Sequence, residues 1–291
     1  MSLINATSGE PRLPPELERM IFQLAAHSEP LSVPSLVLVA WRVRRWVQHL
    51  RYRVLLLAED PNAPHGVRAY PHNDDSELSR LRSLPPSILR DSVRHLCVDL
   101  PGSQTVEFLL STCSSVENLW VLSQKLPLIS ALPLKRLHSM LTVLFFPHPI
   151  DFTNVLFSRL THLEIFDRHC HRRVEPRTWS GLKCLPHLTH LAFHDEELIS
   201  IFVDLLRICT SLRVFVLIST IAPPPPSVPR ELVEEPRFVW MVRTKSMRDW
   251  HAGAVSGVDH WTRAEDFVER RRSGFQEYAL TEDASLLLPL P

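Results

Sequence analysis

Histidines and cysteines crowd two stretches of this 291-residue chain, His162, His169, Cys170 and His171 in one and Cys184, His187, His190 and His194 in the other. Imidazole nitrogen and thiolate sulfur are the usual zinc ligands, four of them converging tetrahedrally and commonly supplied as paired short spacings. That convergence is not expected here. His162 and His190 hold equivalent places in successive repeats of a strand pattern and so lie on the open face of a sheet, while His169, Cys170 and His171 sit in a loop with Arg168, Arg172 and Arg173, which repel a cation. No nucleophile, base and orienting group stand at the spacing that covalent or acid–base catalysis needs. With 7 glycines, the chain has no phosphate-binding loop, dinucleotide fingerprint or nucleophile elbow, each of which needs glycine where backbone crowds a ligand or turns sharply. Accordingly no catalytic residue, metal or cofactor is assigned, and the protein is not expected to be an enzyme.

The elements that position these side chains come from a short pattern that returns from about residue 92. An apolar residue, two variable ones, an apolar, a variable and an apolar residue recur as VRHLCV at 93, VENLWV at 116, LKRLHS at 134, LTHLEI at 160, LTHLAF at 188 and LRVFVL at 212. Its central apolar residues, Leu96, Leu119, Leu137, Leu163, Leu191 and Phe215, are separated by 23, 18, 26, 28 and 24 residues, an irregular period in the leucine-rich-repeat range. Helical segments lie between, clearest at 105–113 (TVEFLLSTC) and 196–210 (EELISIFVDLLRICT). The apolar stretch at 198–222 is long enough for a membrane span, but Asp204, Arg207 and Arg213 fall inside it, and a buried helix leading into a strand accounts for it better.

Side chains alternate along a strand, so stacking such units side by side buries the leucines in one ladder and leaves a parallel sheet along one face. The expected fold class is α/β: N-terminal helices, an irregular leucine-rich-repeat-like strand/helix solenoid, and a C-terminal capping helix. Ser139 at a ladder position makes the arc irregular, and FVWMV at 238–242 is a further candidate strand after the loop APPPPSVPREL. On this register the open face carries His95, Asn118, Arg136, His162 and His190 in one column and Cys97, Trp120, His138, Glu164 and Ala192 in the next. Trp120, Arg136, His138, His162, Glu164 and His190 are therefore the candidate contacts for a client protein, the alternative being a solvated sheet face with tolerated histidines.

At the N-terminus, Leu17, Met20, Ile21, Leu24 and Ala25 form one helical stripe, with Pro15 suited to the first turn and Glu16 and Glu18 placed where the helix dipole favours negative charge. A second stripe runs Leu36, Val39, Ala40, Val43, Val47 and Leu50 behind Pro34 and Ser35. Helices of about three turns cannot bury these faces alone and must pack on each other, on later segments of the chain, or on a partner.

The run Leu13-Pro14-Pro15-Glu16-Leu17, then Ile21-Phe22 and Leu24, then Leu36-Val37-Leu38-Val39 and Arg42-Val43-Arg44-Arg45-Trp46 resembles the F-box motif, a helical module that docks on a Skp-type adaptor of cullin-RING ubiquitin ligases. The resemblance implies that such an adaptor contacts Leu13, Pro14, Leu17, Ile21, Leu36, Val39 and Trp46. AAHSEPLSVP in place of an acidic-apolar connection, and Ala40-Trp41 in place of the commoner serine- or cysteine-lysine, depart from the motif. In the alternative the two helices only cap the end of the repeat core, as terminal elements of stacked architectures commonly do, and the protein is an interaction scaffold outside any ligase.

The C-terminal segment predicts a helix from near Asp259 with Trp261, Ala264, Phe267 and Val268 buried, Asp266 and Arg270 spaced as an i,i+4 pair, and Gly274 at its end. This ending resembles that of short fungal F-box-like proteins with irregular repeats. The domain expectation is a disordered 1–12, a helical module at 13–57, a loop at 58–77, the solenoid at 78–243, a capping segment and helix at 244–277, and a flexible tail at 278–291. Equal counts of 32 basic and 32 acidic residues give no field to draw nucleic acid or an anionic membrane. An odd 5 cysteines without a C-x-x-C pair, and no signal-like N-terminus, point to reduced thiols and a cytoplasmic or nuclear protein.

Overall fold

A computed structural model describes residues 13–58, 75–99, 103–167, 174–220, 228–242, 246–275 and 277–281. The expectations for 1–12, for most of 58–77, for the loop around His169, Cys170 and His171, for most of APPPPSVPREL and for the chain beyond 281 lie outside the described residues. The chain divides into two compact units, Met1–Arg53 and Val54–Pro291.

The first unit is helical. α1 (Pro15–Ser28) begins behind Pro14, with Pro15 at its first position and Glu16 and Glu18 in its first turn. The second expected helix is two: α2 (Val33–Leu36) and α3 (Trp41–Val47) are separated by a turn that runs into Ala40, whose extended backbone (φ −161°, ψ 155°) no helix can continue through. A small core of Ala26, Val33, Val43 and Val47 holds them, flanked by Phe22, Leu36, Val37, Ala40, Trp46 and Leu50. The Arg42 guanidinium grips the Glu18 carboxylate through both oxygens at 2.7 and 2.9 Å, tying α3 to α1.

The second unit is α/β. Among the described residues, nine parallel strands pair strictly in chain order: β1 (Val54–Ala58), β2 (His95–Asp99), β3 (Asn118–Val121), β4 (Arg136–Ser139), β5 (His162–Ile165), β6 (His190–Phe193), β7 (Val214–Ser219), β8 (Phe238–Val242) and β9 (Ala279–Thr281). The six repeating segments are β2 to β7 and FVWMV is β8, as the pattern predicts. Their register is the expected one, since Leu96, Leu119, Leu137, Leu163, Leu191 and Phe215 are mutual neighbours. Leu55 and Phe238 extend this fully buried ladder at either end. Two strands depart from the expected domains: β1 belongs to the sheet rather than the helical module, and β9 lies where a flexible tail was expected.

Between strands the chain crosses the ladder face through α4 (Asp75–Ser83), α5 (Pro86–Ser92), α6 (Ser103–Thr112), α7 (Leu126–Ser130), α8 (Leu141–Leu144), α9 (Pro176–Trp179), α10 (Ile199–Ile208) and α11 (Arg230–Glu234). α4 starts inside the expected loop. Within the 198–222 stretch, Ile199–Ile208 is helix α10 and Val214–Ser219 is β7, and among the described residues no helix is long and apolar enough to cross a membrane. After β8 come α12 (Ser246–Ser256) and α13 (His260–Arg272), joined by a short corner.

Candidate docking surface and the covered sheet face

In the first unit α1 carries two apolar faces. Phe22 and Ala26 turn toward α2 and α3, whereas Leu13, Leu17, Met20 (63% exposed), Ile21 (53%) and Leu24 are left at the surface. The turn after α2 and the start of α3 add Leu38 (84%), Val39 and Trp41, with the Arg44 guanidinium 5.4 Å from the centre of the Trp41 ring. Of the seven residues the motif resemblance nominates, Leu13, Pro14, Leu17, Ile21 and Val39 are exposed. Leu36 and Trp46 are instead half-buried against the unit's own core, Trp46 because the break at Ala40 turns α3 back against α1. Met20, Leu24, Leu38 and Trp41 were missed as surface candidates. Met20 and Leu24 had been legible, being in the same stripe as Leu17 and Ile21.

In the second unit the columns of Val54, His95, Asn118, Arg136, His162 and His190, and of Leu56, Cys97, Trp120, His138, Glu164 and Ala192, share the face opposite the leucine ladder. That face is not open. Trp120, His138, Glu164 and His190 are buried, Glu164 completely, and His162 and Arg136 are half-buried. The expectation that these six residues present a client surface is overturned, because α12 and α13 lie across them.

The cover is built from apolar ends and a polar middle. At one end Met247, Trp250 and Ala254 of α12 pack on Leu56, Cys97 and Trp120. At the other, Trp261, Ala264, Phe267 and Val268 of α13 pack on Ala192, Val214, Val216, Val239 and Met241. The helix begins at Asp259, whose carboxylate accepts from the Thr262 amide at 3.1 Å, and its buried stripe is the one the sequence predicts. Arg270 stacks over Phe267 and Phe275 (5.3 and 5.5 Å), the i,i+4 partner Asp266 notwithstanding, and Gly274 succeeds the helix at φ +102°. Arg271 anchors the far end, donating to the carbonyls of Glu235 and Phe238 at 2.6 Å and to that of Val233.

Between these ends the polar side chains of sheet and helices bond to one another. Trp250 Nε1 donates to Asn118 Oδ1 at 3.1 Å, and Arg136 pairs with Asp259 at 2.8 Å. The Glu164 carboxylate lies 2.6 Å from His138 Nδ1 and 2.7 Å from His194 Nε2, with His260 Nε2 at 3.4 Å. Asp249 holds His260 Nδ1 at 3.0 Å and Arg263 at 2.6 Å. A buried charge is tolerated only when paired and bonded in this way. At the corner, Gly253 is where α12 passes Asp259: a Cβ there would stand 2.6 Å from the aspartate side chain.

The histidine–carboxylate network could in principle move protons, but His138, Glu164, His260 and Asp249 are each at most 2% exposed, so no substrate atom reaches them here. Among the described residues no three His, Cys, Asp or Glu are arranged to hold a metal ion. Cys184 and His187 are exposed, whereas His190 bonds Glu265 and His194 bonds Glu164, so that cluster does not converge. Burial raises the thiols of Cys97, Cys113 (to about 12) and Cys209 (to about 11), which keeps them protonated and poor nucleophiles. No protein-family model and no curated protein matches this sequence.

Proposed function

We propose that the protein is a substrate-receptor-like adaptor: its N-terminal unit is an F-box-like module that docks a Skp-type subunit of a cullin-RING ubiquitin ligase, and its strand–helix unit, an irregular leucine-rich-repeat-like solenoid, meets a client protein through a surface other than the covered sheet face. One observation carries this. α1 buries one face against α2 and α3 and still leaves Leu13, Leu17, Met20, Ile21 and Leu24 exposed, continued by Leu38, Val39 and Trp41. Water penalises an exposed apolar stripe of this kind, and contiguous apolar surface on a soluble protein marks an interaction site. Helices that served only to cap a repeat core would have no use for it, which favours docking over the scaffold alternative.

In this reading the protein performs no bond chemistry. A bound client gains ubiquitin because the ligase holds both reactants together, which raises their effective concentration. A cytoplasmic or nuclear location fits, since the ligase components work there and the buried thiols need no oxidising compartment. The test is co-purification of the full-length chain with a Skp-type adaptor. Leu17→Asp and Val39→Asp each place an unpaired carboxylate in the docked interface and are expected to weaken binding at least tenfold, about 1.4 kcal/mol or more. Equal retention of the adaptor by both variants removes the proposal.

A further inference from the structure

Two stacked histidines beneath α13 form an arrangement that apolar packing does not require. His162 and His190, on neighbouring strands, stack with ring centres 4.0 Å apart and planes 5° from parallel. The Trp261 indole meets both edge-on at 5.4 and 5.7 Å, and the Thr161 and Thr189 hydroxyls each lie 2.8 Å from the Nδ1 of the next residue's ring. His190 Nε2 reaches the Glu265 carboxylate of α13 at 2.9 Å.

Apart from Glu265, which favours a proton on His190, the surroundings disfavour positive charge on either ring. β4 brings Arg136 and His138, Arg213 stands just before β7, and α13 brings His260 and Arg263. The nearby carboxylates are engaged: Glu164 of β5 by His138 and His194, Asp249 of α12 by His260 and Arg263, Asp259 by Arg136, and Glu265 by His190. Burial lowers the pKa of His162 far below the ordinary histidine range, with His190 and Arg136 adding to it, and lowers that of His190 even though Glu265 opposes the change.

We propose that the His162–His190 stack is an acid-sensitive catch for the first half of α13: with both rings neutral, residues 259–266 are held on β5 and β6, and proton uptake by either ring releases them while the apolar second half stays packed. A second proton on rings 4.0 Å apart meets like-charge repulsion that is strong under the buried Trp261 and screened once 259–266 lifts and water enters. Linkage fixes the direction. Each ring takes its proton more readily when released than when held, so attachment is complete above the ordinary histidine range and weakens as pH falls through it. Release would uncover His138 and Glu164, which His260 now covers and which are buried. The catch does not depend on the docking proposal.

Hydrogen exchange of the full chain at about pH 7.5 and about pH 5.5, corrected for the intrinsic rate, tests it. The opening equilibrium of 259–266 is expected to rise by up to about tenfold for each of the two histidines that stays neutral while held and regains its ordinary value of about 6.5 on release. The double variant His162→Gln, His190→Gln keeps polar side chains without titration and is expected to abolish the rise. Unchanged protection of 259–266 in the wild-type chain overturns the proposal and needs no variant to fold. So does an equal rise in the double variant, which would assign the effect to other histidines, His251 of α12 among them.

Discussion

The outward faces of α1 and of the sheet invert the usual rule. On α1 the outward stripe is leucine, isoleucine and methionine, and it stays at the surface; on strands β3 to β6 the outward residues other than Ala192 are Asn, Trp, Arg, His and Glu, and they are buried or half-buried. Side-chain polarity therefore did not decide which face is buried. What decided it is whether the chain supplies a partner of matching chemistry. α12, α13 and the corner between them bring Trp250, Asp259, His260 and Glu265 to meet the polar columns one contact at a time. Nothing among the described residues of the first unit does the same for the Leu17–Ile21–Leu24 stripe.

The sharpest way to break this contrast is to remove one side of it. Trp261→Ala, at a fully buried indole, should cost about 3–5 kcal/mol of unfolding free energy by denaturant titration. Glu164→Ala, which strips the acceptor from His138 and His194, should cost a similar ~3–5 kcal/mol. A loss under about 1 kcal/mol for Glu164→Ala would mean that the polar middle is merely enclosed rather than bonded.

A smaller effect comes from His251 of α12, whose imidazole burial lowers to a pKa of about 4. Because that value is depressed, the unfolded chain binds the proton first, so stability is complete above about pH 6.5 and falls as pH drops toward 4, by up to about 3 kcal/mol for this residue. His251→Gln should flatten that part of the stability–pH curve. The smallest effect belongs to the exposed stripe: Met20→Asp and Leu24→Asp should change stability by about 0.5 kcal/mol or less, because neither side chain packs on the unit's core. A loss of several kcal/mol would show that the stripe is structural and remove the contrast altogether.

Much of the second unit was legible in advance. The six-fold pattern placed β2 to β7, and its alternation set the register of the Leu96-to-Phe215 ladder, because side chains on a strand repeat every two residues and a slip by one would turn the leucines to the wrong face. Its cover was also signalled, though unread. VLLLA at 54–58, VFVLIS at 214–219 and FVWMV at 238–242 are apolar at almost every position, the mark of strands buried on both faces, whereas RLHS and HLEI alternate and look half-solvated. The end strands were the better guide to the middle ones.

The sequence by itself determined the local periods: the amphipathic stripe of α1, the strand register, the helix from Asp259, and the crossing of 198–222 as helix then strand. Those depend on side-chain spacing along a few residues, which the chain carries with it. Only the tertiary structure decided that Leu36 and Trp46 turn inward, that β1 and β9 join the sheet, and that α12 and α13 close over the His162–Glu164 columns. Each of these pairs segments far apart in the chain, and burial of a polar face becomes favourable only when its bonding partners arrive together, a condition that no single segment encodes.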